Sequence, residues 1–220
     1  MCYTAKDSLN AYVFNIISSI VLFFSSKSSD MKIIALFFGF VGQMQLFDYL
    51  FWTNSECNKT NKITTKLAII FNHLQPIILF LLNRYYQHRQ SVVSSIIVVL
   101  YTIFAVVYTI KLWPDDNCQH LPNNSVCCSL PFAPGQKDTV IDWRWNTQIN
   151  KYIIYSLFML SLTTSSFDLQ AQENKILLSL LSVGSFFIST KIPKLNESVG
   201  RIWCHIAALI PGFIVLFKSV

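Results

Sequence analysis

Charge is scarce in this chain. Lys, Arg, Asp and Glu make up 13% of 220 residues, about half the share of a soluble domain. That excludes an ordinary water-facing surface over most of the length. With 53% hydrophobic residues and a mean hydropathy of +0.45, the composition is that of an integral membrane protein. Net charge is +6, yet no dense Lys/Arg block stands on one helical face, which excludes nucleic acid as a partner. No H-x-x-x-H or H-E-x-x-H pair occurs, so the histidine spacing of membrane metallohydrolases is missing. No lysine lies deep in the last apolar run, where a retinal protein needs one, and the receptor patterns D-R-Y and N-P-x-x-Y are absent.

What is present is apolar length. A spanning helix needs about 20 mostly apolar residues. Seven runs meet this requirement: Leu9–Phe24, Lys32–Trp52, Ile63–Leu82, Ser91–Leu112, Ile149–Leu169, Glu173–Thr190 and Ser198–Lys218. The expected fold is all-α, a single polytopic bundle of seven transmembrane helices over 1–220. The first run has Lys6 offset by Asp7 and no A-x-A-like site, so it reads as a retained helix rather than a cleaved signal. Connections are short except Trp113–Gln148, which holds four of the seven prolines and is expected to be irregular.

Seven crossings sort the connections onto two faces. The N-terminus and loops two, four and six share face A; loops one, three and five and the C-terminus share face B. Cys2, Cys57, Cys118, Cys127 and Cys128 fall on face A, as do the sequons at Asn58, Asn123 and Asn196 and all five tryptophans. Disulfides and glycans imply an exoplasmic side. The positive-inside rule points the other way, because 11 of the 17 Lys and Arg residues also lie on or next to face A. Both orientations stay open; the clustered cysteines favour face A outside. Within loop four, Cys118 is expected to pair with Cys127 or Cys128, and Cys2 and Cys57 are candidates for a second bridge. C-x8-C-C fits no zinc motif well.

The second run carries polar residues that do not belong in lipid. Gln45, Asp48 and Trp52 share one helical face, and Gly39 and Gly42 offer a close helix approach. The third run carries Asn72, His73, Gln75 and Pro76, and the seventh carries Arg201, His205 and Pro211. A buried charge in a spanning helix costs roughly 2.5–3.5 kcal/mol at the centre, so Asp48 is expected to face the bundle interior. The expected site is therefore a polar pocket or network between helices two, three and seven, with His73 and His205 as preferred neighbours of Asp48. Its leading function is binding or moving a small solute or ion. Pure packing, which fixes helix register without a ligand, is the rival. Asp48, His73 and His205 could supply three metal ligands, but without paired spacing neither a metal nor a cofactor is expected. The lipid bilayer and a small-molecule or ion ligand are the expected partners.

The segments MCYTAKDS, QMQLFDYLFW, NHLQP and RIWCHIAALIP resemble those of an uncharacterised multipass membrane family of large DNA viruses, with related bacterial and protist proteins. Cys2, Gln45, Asp48, Trp52, Gln75 and Pro76 match its motif positions, with Asp48 standing where Glu is usual. The resemblance implies a viral or host membrane, and allows a structural component of a viral inner membrane or envelope. It implies no activity.

Overall fold

The computed structural model describes residues 4–54, 58–88, 90–112, 130–131, 141–142, 151–191 and 201–217. They form eight helices: α1 Ala5–Ser25, α2 Ser29–Val41, α3 Gln43–Thr53, α4 Lys59–Gln87, α5 Val92–Leu112, α6 Lys151–Ser166, α7 Gln172–Lys191 and α8 Arg201–Phe217. Inside the long fourth connection, Leu130–Pro131 (β1) pairs antiparallel with Ile141–Asp142 (β2). Helices α2 and α3 run on from one another as the single stem Ser29–Thr53, so the helices make seven stems.

Two stems begin earlier than apolarity alone predicts, because side chains cap them. The Thr4 hydroxyl accepts the Asp7 N–H at 3.1 Å and starts α1. Asn58 Oδ1 accepts the Asn61 N–H at 2.9 Å and starts α4 four residues before Ile63. Such caps satisfy N–H groups that have no partner inside the helix.

The expectation of seven membrane-spanning helices is met in part. Four stems are long and apolar enough to cross: Ala5–Ser25, Ser29–Thr53, Lys59–Gln87 and the α5 stem. Helix α6 has 16 residues and α8 has 17, about 24–26 Å at the α-helical rise, against a hydrocarbon core of about 30 Å. Helix α7 is long enough at 20 residues, but polar residues such as Glu173, Asn174 and Lys175 fill its first turn.

The stems close into a ring. Each packs on the next in sequence, and α8 packs on both α7 and α1; α2 with α8 and α4 with α6 make the cross-links. Asn15 meets Ala208, and Ser18 lies against Gly212. Both partners advance together, so α1 and α8 run parallel, as first and seventh stems of an up-and-down bundle must.

On α5 and α1 the sidedness is inverted relative to a soluble protein. On α5, Ser94, Val98, Tyr101, Ala105 and Tyr108 are buried, a heptad-spaced inner stripe. Val92, Val93, Ile96, Val99, Leu100 and Ile103 face outward. On α1 the buried residues are Ser8, Ala11, Asn15, Ser18, Ser19 and Leu22. Small and polar residues inside, with branched aliphatics outside, suit helices whose surroundings are lipid, where close packing and interhelical hydrogen bonds drive association.

Gly42 stands at the joint of the second stem, its backbone still in the right-handed helical region. A Cβ there would collide with the Asn15 carboxamide of α1. The helix tightens by one step there, with the Gln45 N–H donating to the Gly42 carbonyl at 2.9 Å. The Gln43 side chain donates to the Gly39 carbonyl at 3.1 Å. Gln43 is thus a local brace for an interrupted helix.

Candidate functional site

Pro76 sits inside α4 and cannot donate to the carbonyl one turn earlier. Around that turn α4 presents polar side chains in two directions. At 100° per residue, His73 and Gln75 project about 200° apart, so they serve different neighbours.

Gln75 faces α8. Its Oε1 accepts the Trp203 indole N–H at 2.8 Å, and its Nε2 lies 3.7 Å from Cys204 Sγ. Phe37 and Phe38 of α2 pack on the Trp203 ring, with centroids 6.4 and 6.1 Å away. Gln45 and Asp48 of α3 are interior, at 1% and 3% exposure. Asp48 lies within electrostatic range of the Cys204 thiol. Trp52 is half-buried against the core, and His205 is half-buried on α8. This seam joins stems two, three and seven.

Asn72 and His73 face α5 and α6. Asn72 Nδ2 donates to Tyr155 Oη at 2.9 Å. His73 Nδ1 lies 3.1 Å from Tyr101 Oη, and the same hydroxyl donates to the His73 carbonyl at 3.1 Å. Tyr108 meets the His73 ring edge-on at 5.6 Å, and Tyr155 is tilted at 6.3 Å. His73 thus lies in a cluster with Tyr101, Tyr108 and Tyr155. Cys204 is also within electrostatic range of Tyr155, so the two clusters adjoin through the α8 thiol.

Cys204 is a free, buried thiol. Cys2, Cys57, Cys118, Cys127 and Cys128 lie outside the described residues, as do Asn123 and Asn196, and the expected disulfides with them. Arg201 opens α8, and its side chain is also outside the described set. Of the three sequon asparagines only Asn58 is described, as the cap of α4.

The densest polar cluster was not anticipated from the sequence. Asp30, in the first turn of α2, is 2% exposed. Its carboxylate accepts the Gln170 N–H at 3.0 Å, the Ala171 N–H at 2.8 Å and Asn174 Nδ2 at 3.0 Å, and also accepts from Gln87 Nε2. It thus caps the N-terminus of α7 from another stem and ties in the end of α4. Beside it, Asp168 Oδ1 accepts the Ser91 N–H at 3.0 Å. Loops one, three and five meet at this end of the bundle. The sequence signal was an acid at the start of one apolar run, with Gln87 and Asn174 at the ends of two others on the same face.

The fold and these seams define a class: an α-helical bundle with four membrane-length apolar stems and polar seams through a largely apolar core. Within that class the chain belongs to the family of unknown function DUF5765, which it matches over residues 7–218. No curated protein and no solved structure matches the chain.

Proposed function

We propose that this chain is a seven-span integral membrane protein that binds or moves a small solute or cation at Asp48. The observation that carries the proposal is a carboxylate buried in the interior of a bundle whose outer surface is aliphatic. An ionisable residue inside a membrane bundle is costly and marks a pathway or binding site more often than a packing contact. Gln75, Cys204, Asn72 and Tyr155 continue the polar interior from Asp48 towards α5 and α6. Stems α6, α7 and α8 cross with help from local thinning of the bilayer. A viral or host membrane as the setting, with face A exoplasmic, rests on the resemblance and on the sorting of cysteines and sequons.

The test is proton- and cation-driven flux in liposomes for the wild type and Asp48→Asn. Asn keeps the shape and one acceptor, so the variant should fold while losing a pH-dependent flux. A purely structural bundle gives no flux in either protein and overturns the reading. The structural alternative is favoured by one specific feature: both amide atoms of Gln75 are already engaged by α8.

A further inference from the structure

The structure assigns one anionic phospholipid to the outer groove between α4 and α5, with its phosphate at Arg84 and His88 and an acyl chain lying along the two stems. The inference needs the membrane setting of the proposed function and nothing at Asp48. Helix α4 has 29 residues, about 43 Å at the α-helical rise. A bilayer is about 30 Å thick in its hydrocarbon and about 40–45 Å with its headgroups. A stem of that length carries its last turn at headgroup depth, where the strongly exposed Tyr85 is at home. At this level a polar hollow of about 430 Å³ is lined by Arg84, His88, Gln90 and Ser95, with no carboxylate among the four. Asp168 and Lys175 stand in the neighbouring hollow, which shares His88 and Gln90.

Arg84 and His88 are both exposed, so a molecule at the membrane surface reaches them. The Ser95 hydroxyl donates to the Ser91 carbonyl at 3.1 Å, and Gln90 Nε2 donates to the Phe80 carbonyl at 2.9 Å. The donors left for a ligand are the Arg84 guanidinium, always charged and forked to match a phosphate, and the His88 ring N–H. His88 also ends α4 at φ 54°, the left-handed region that glycine enters without strain. An imidazole kept where glycine would be easier points independently to use of the side chain. Deeper in the bilayer the same two helices form an apolar groove of about 260 Å³, with Ile77, Thr102 and Val106 among its walls. Ile77, Leu81, Arg84 and His88 follow i, i+4, i+7, i+11 spacing on α4, as Ser95, Val99, Thr102 and Val106 do on α5. Hollow and groove therefore share one face of each helix, and Leu81 and Val99 between them are at least half exposed. From Ser95 to Val106 the helix rises about 16 Å, close to the hydrocarbon depth of one leaflet, about 15 Å. A lipid held by its phosphate in the hollow thus lays a chain in the groove. Basic pockets between spanning helices select anionic headgroups, and a choline would bring its cation beside the guanidinium.

The probes are phosphatidylglycerol and phosphatidylcholine with identical chains, titrated into the full chain in detergent micelles and counted by native mass spectrometry. The first phosphatidylglycerol should bind about fivefold tighter, the factor that one basic residue supplies at a membrane surface. Arg84→Gln should erase the preference. His88→Gly should weaken it without lowering thermal stability, because glycine takes that φ freely. Val106→Trp, which fills the apolar groove, should weaken binding of both lipids and leave their ratio. Lys27→Gln removes another exposed basic residue from the same end of the bundle and should change nothing. Equal affinity for the two lipids overturns the assignment, as does a loss with Lys27→Gln as large as that with Arg84→Gln, which would mean diffuse surface charge. Displacement by an equal concentration of glycerol 3-phosphate, or binding unchanged in Val106→Trp, would show that no chain occupies the groove, and overturns it too. Absence of flux at Asp48 leaves all of these outcomes as they stand.

Discussion

Asp30→Ala should be among the most destabilising single changes in the protein. The carboxylate receives two backbone N–H groups, Gln170 and Ala171, and two side-chain amides, Asn174 and Gln87. Removing it strands two part-buried backbone donors at the start of α7, each costing at most about 1–3 kcal/mol. The two side-chain amides can turn and partly recover, so their loss adds little more. The expected destabilisation is about 3–5 kcal/mol. Asp30→Asn should recover less than half of that, because its carboxamide presents an N–H₂ to a site built of donors. Asp30→Glu keeps the charge but moves it by one methylene, and should fall between. The assay is reversible unfolding in mixed micelles, paired with amide hydrogen exchange at residues 170–174. Those amides should lose protection in both the Ala and Asn variants, while the middle of α4 keeps it. If Asp30→Asn costs under about 1 kcal/mol, or exchange at Gln170 and Ala171 is unchanged, then Asp30 is not the cap of α7 and this end is held by something else.

Gly42→Ala should destabilise by about 1–3 kcal/mol through overpacking, since the new methyl meets the Asn15 carboxamide and breaks its 2.9 Å bond to the Ala208 carbonyl. Asn15→Ala removes the obstacle, so the double variant should be no less stable than Asn15→Ala alone in a double-mutant cycle; additive losses would refute the contact. Gln75→Leu strands the buried Trp203 indole N–H and should cost about 1–3 kcal/mol, with a change in near-UV circular dichroism that Trp203→Phe cancels. Cys204 is fully buried, so in a variant retaining it as the sole cysteine, a membrane-permeant maleimide should label it only on unfolding. Rapid labelling of the folded protein would show that the α8 seam opens.

How much of this was legible in the sequence follows from what lipid demands of a chain. Stems are legible because each needs a long apolar run, and all seven runs correspond to helical stems. Their ends are less so: the capping of α4 by Asn58 depends on one side chain, and that residue reads equally well as a glycan acceptor. The interruption at Gly42 was hidden because a glycine next to two glutamines resembles a helix with polar inclusions. What the neighbouring Asn15 makes necessary there is the glycine, not the break. The interior position of Gln45 and Asp48 follows from the cost of exposing them to hydrocarbon. Their neighbours do not, since Asn72, His73 and Gln75 stand within four residues and choose different partners by angle alone. Tyr101 and Tyr155 were missed for a related reason. In an apolar run, an aromatic that faces a histidine has the same local sequence as one that faces lipid.

That ambiguity explains why the polar seams exist at all. In water, apolar burial tells a helix which side is inside. In a bilayer both sides are apolar, and the hydrophobic effect no longer discriminates. Here every stem carries at least one side-chain hydrogen bond to another: Asn15 joins α1 to α8, Asp30 joins α2 to α4 and α7, and Gln75 joins α4 to α8. His73 joins α4 to α5, Asn83 joins α4 to α6 through the Ser165 carbonyl at 2.7 Å, and Ser166 meets Ser179 of α7 at 2.6 Å. Each such bond is worth under about 1 kcal/mol on average, too little to explain stability but enough together to reject rotated packings, because a rotation turns all of a stem's polar groups into lipid at once. Asp30 exceeds that need only in strength, gathering four donors at one end. Asp48 exceeds it in kind: a carboxamide could serve for register at far lower desolvation cost, as Asn72 and Gln75 do on α4. A carboxylate kept where an amide would hold the fold is the reason to look for its function in charge rather than in packing.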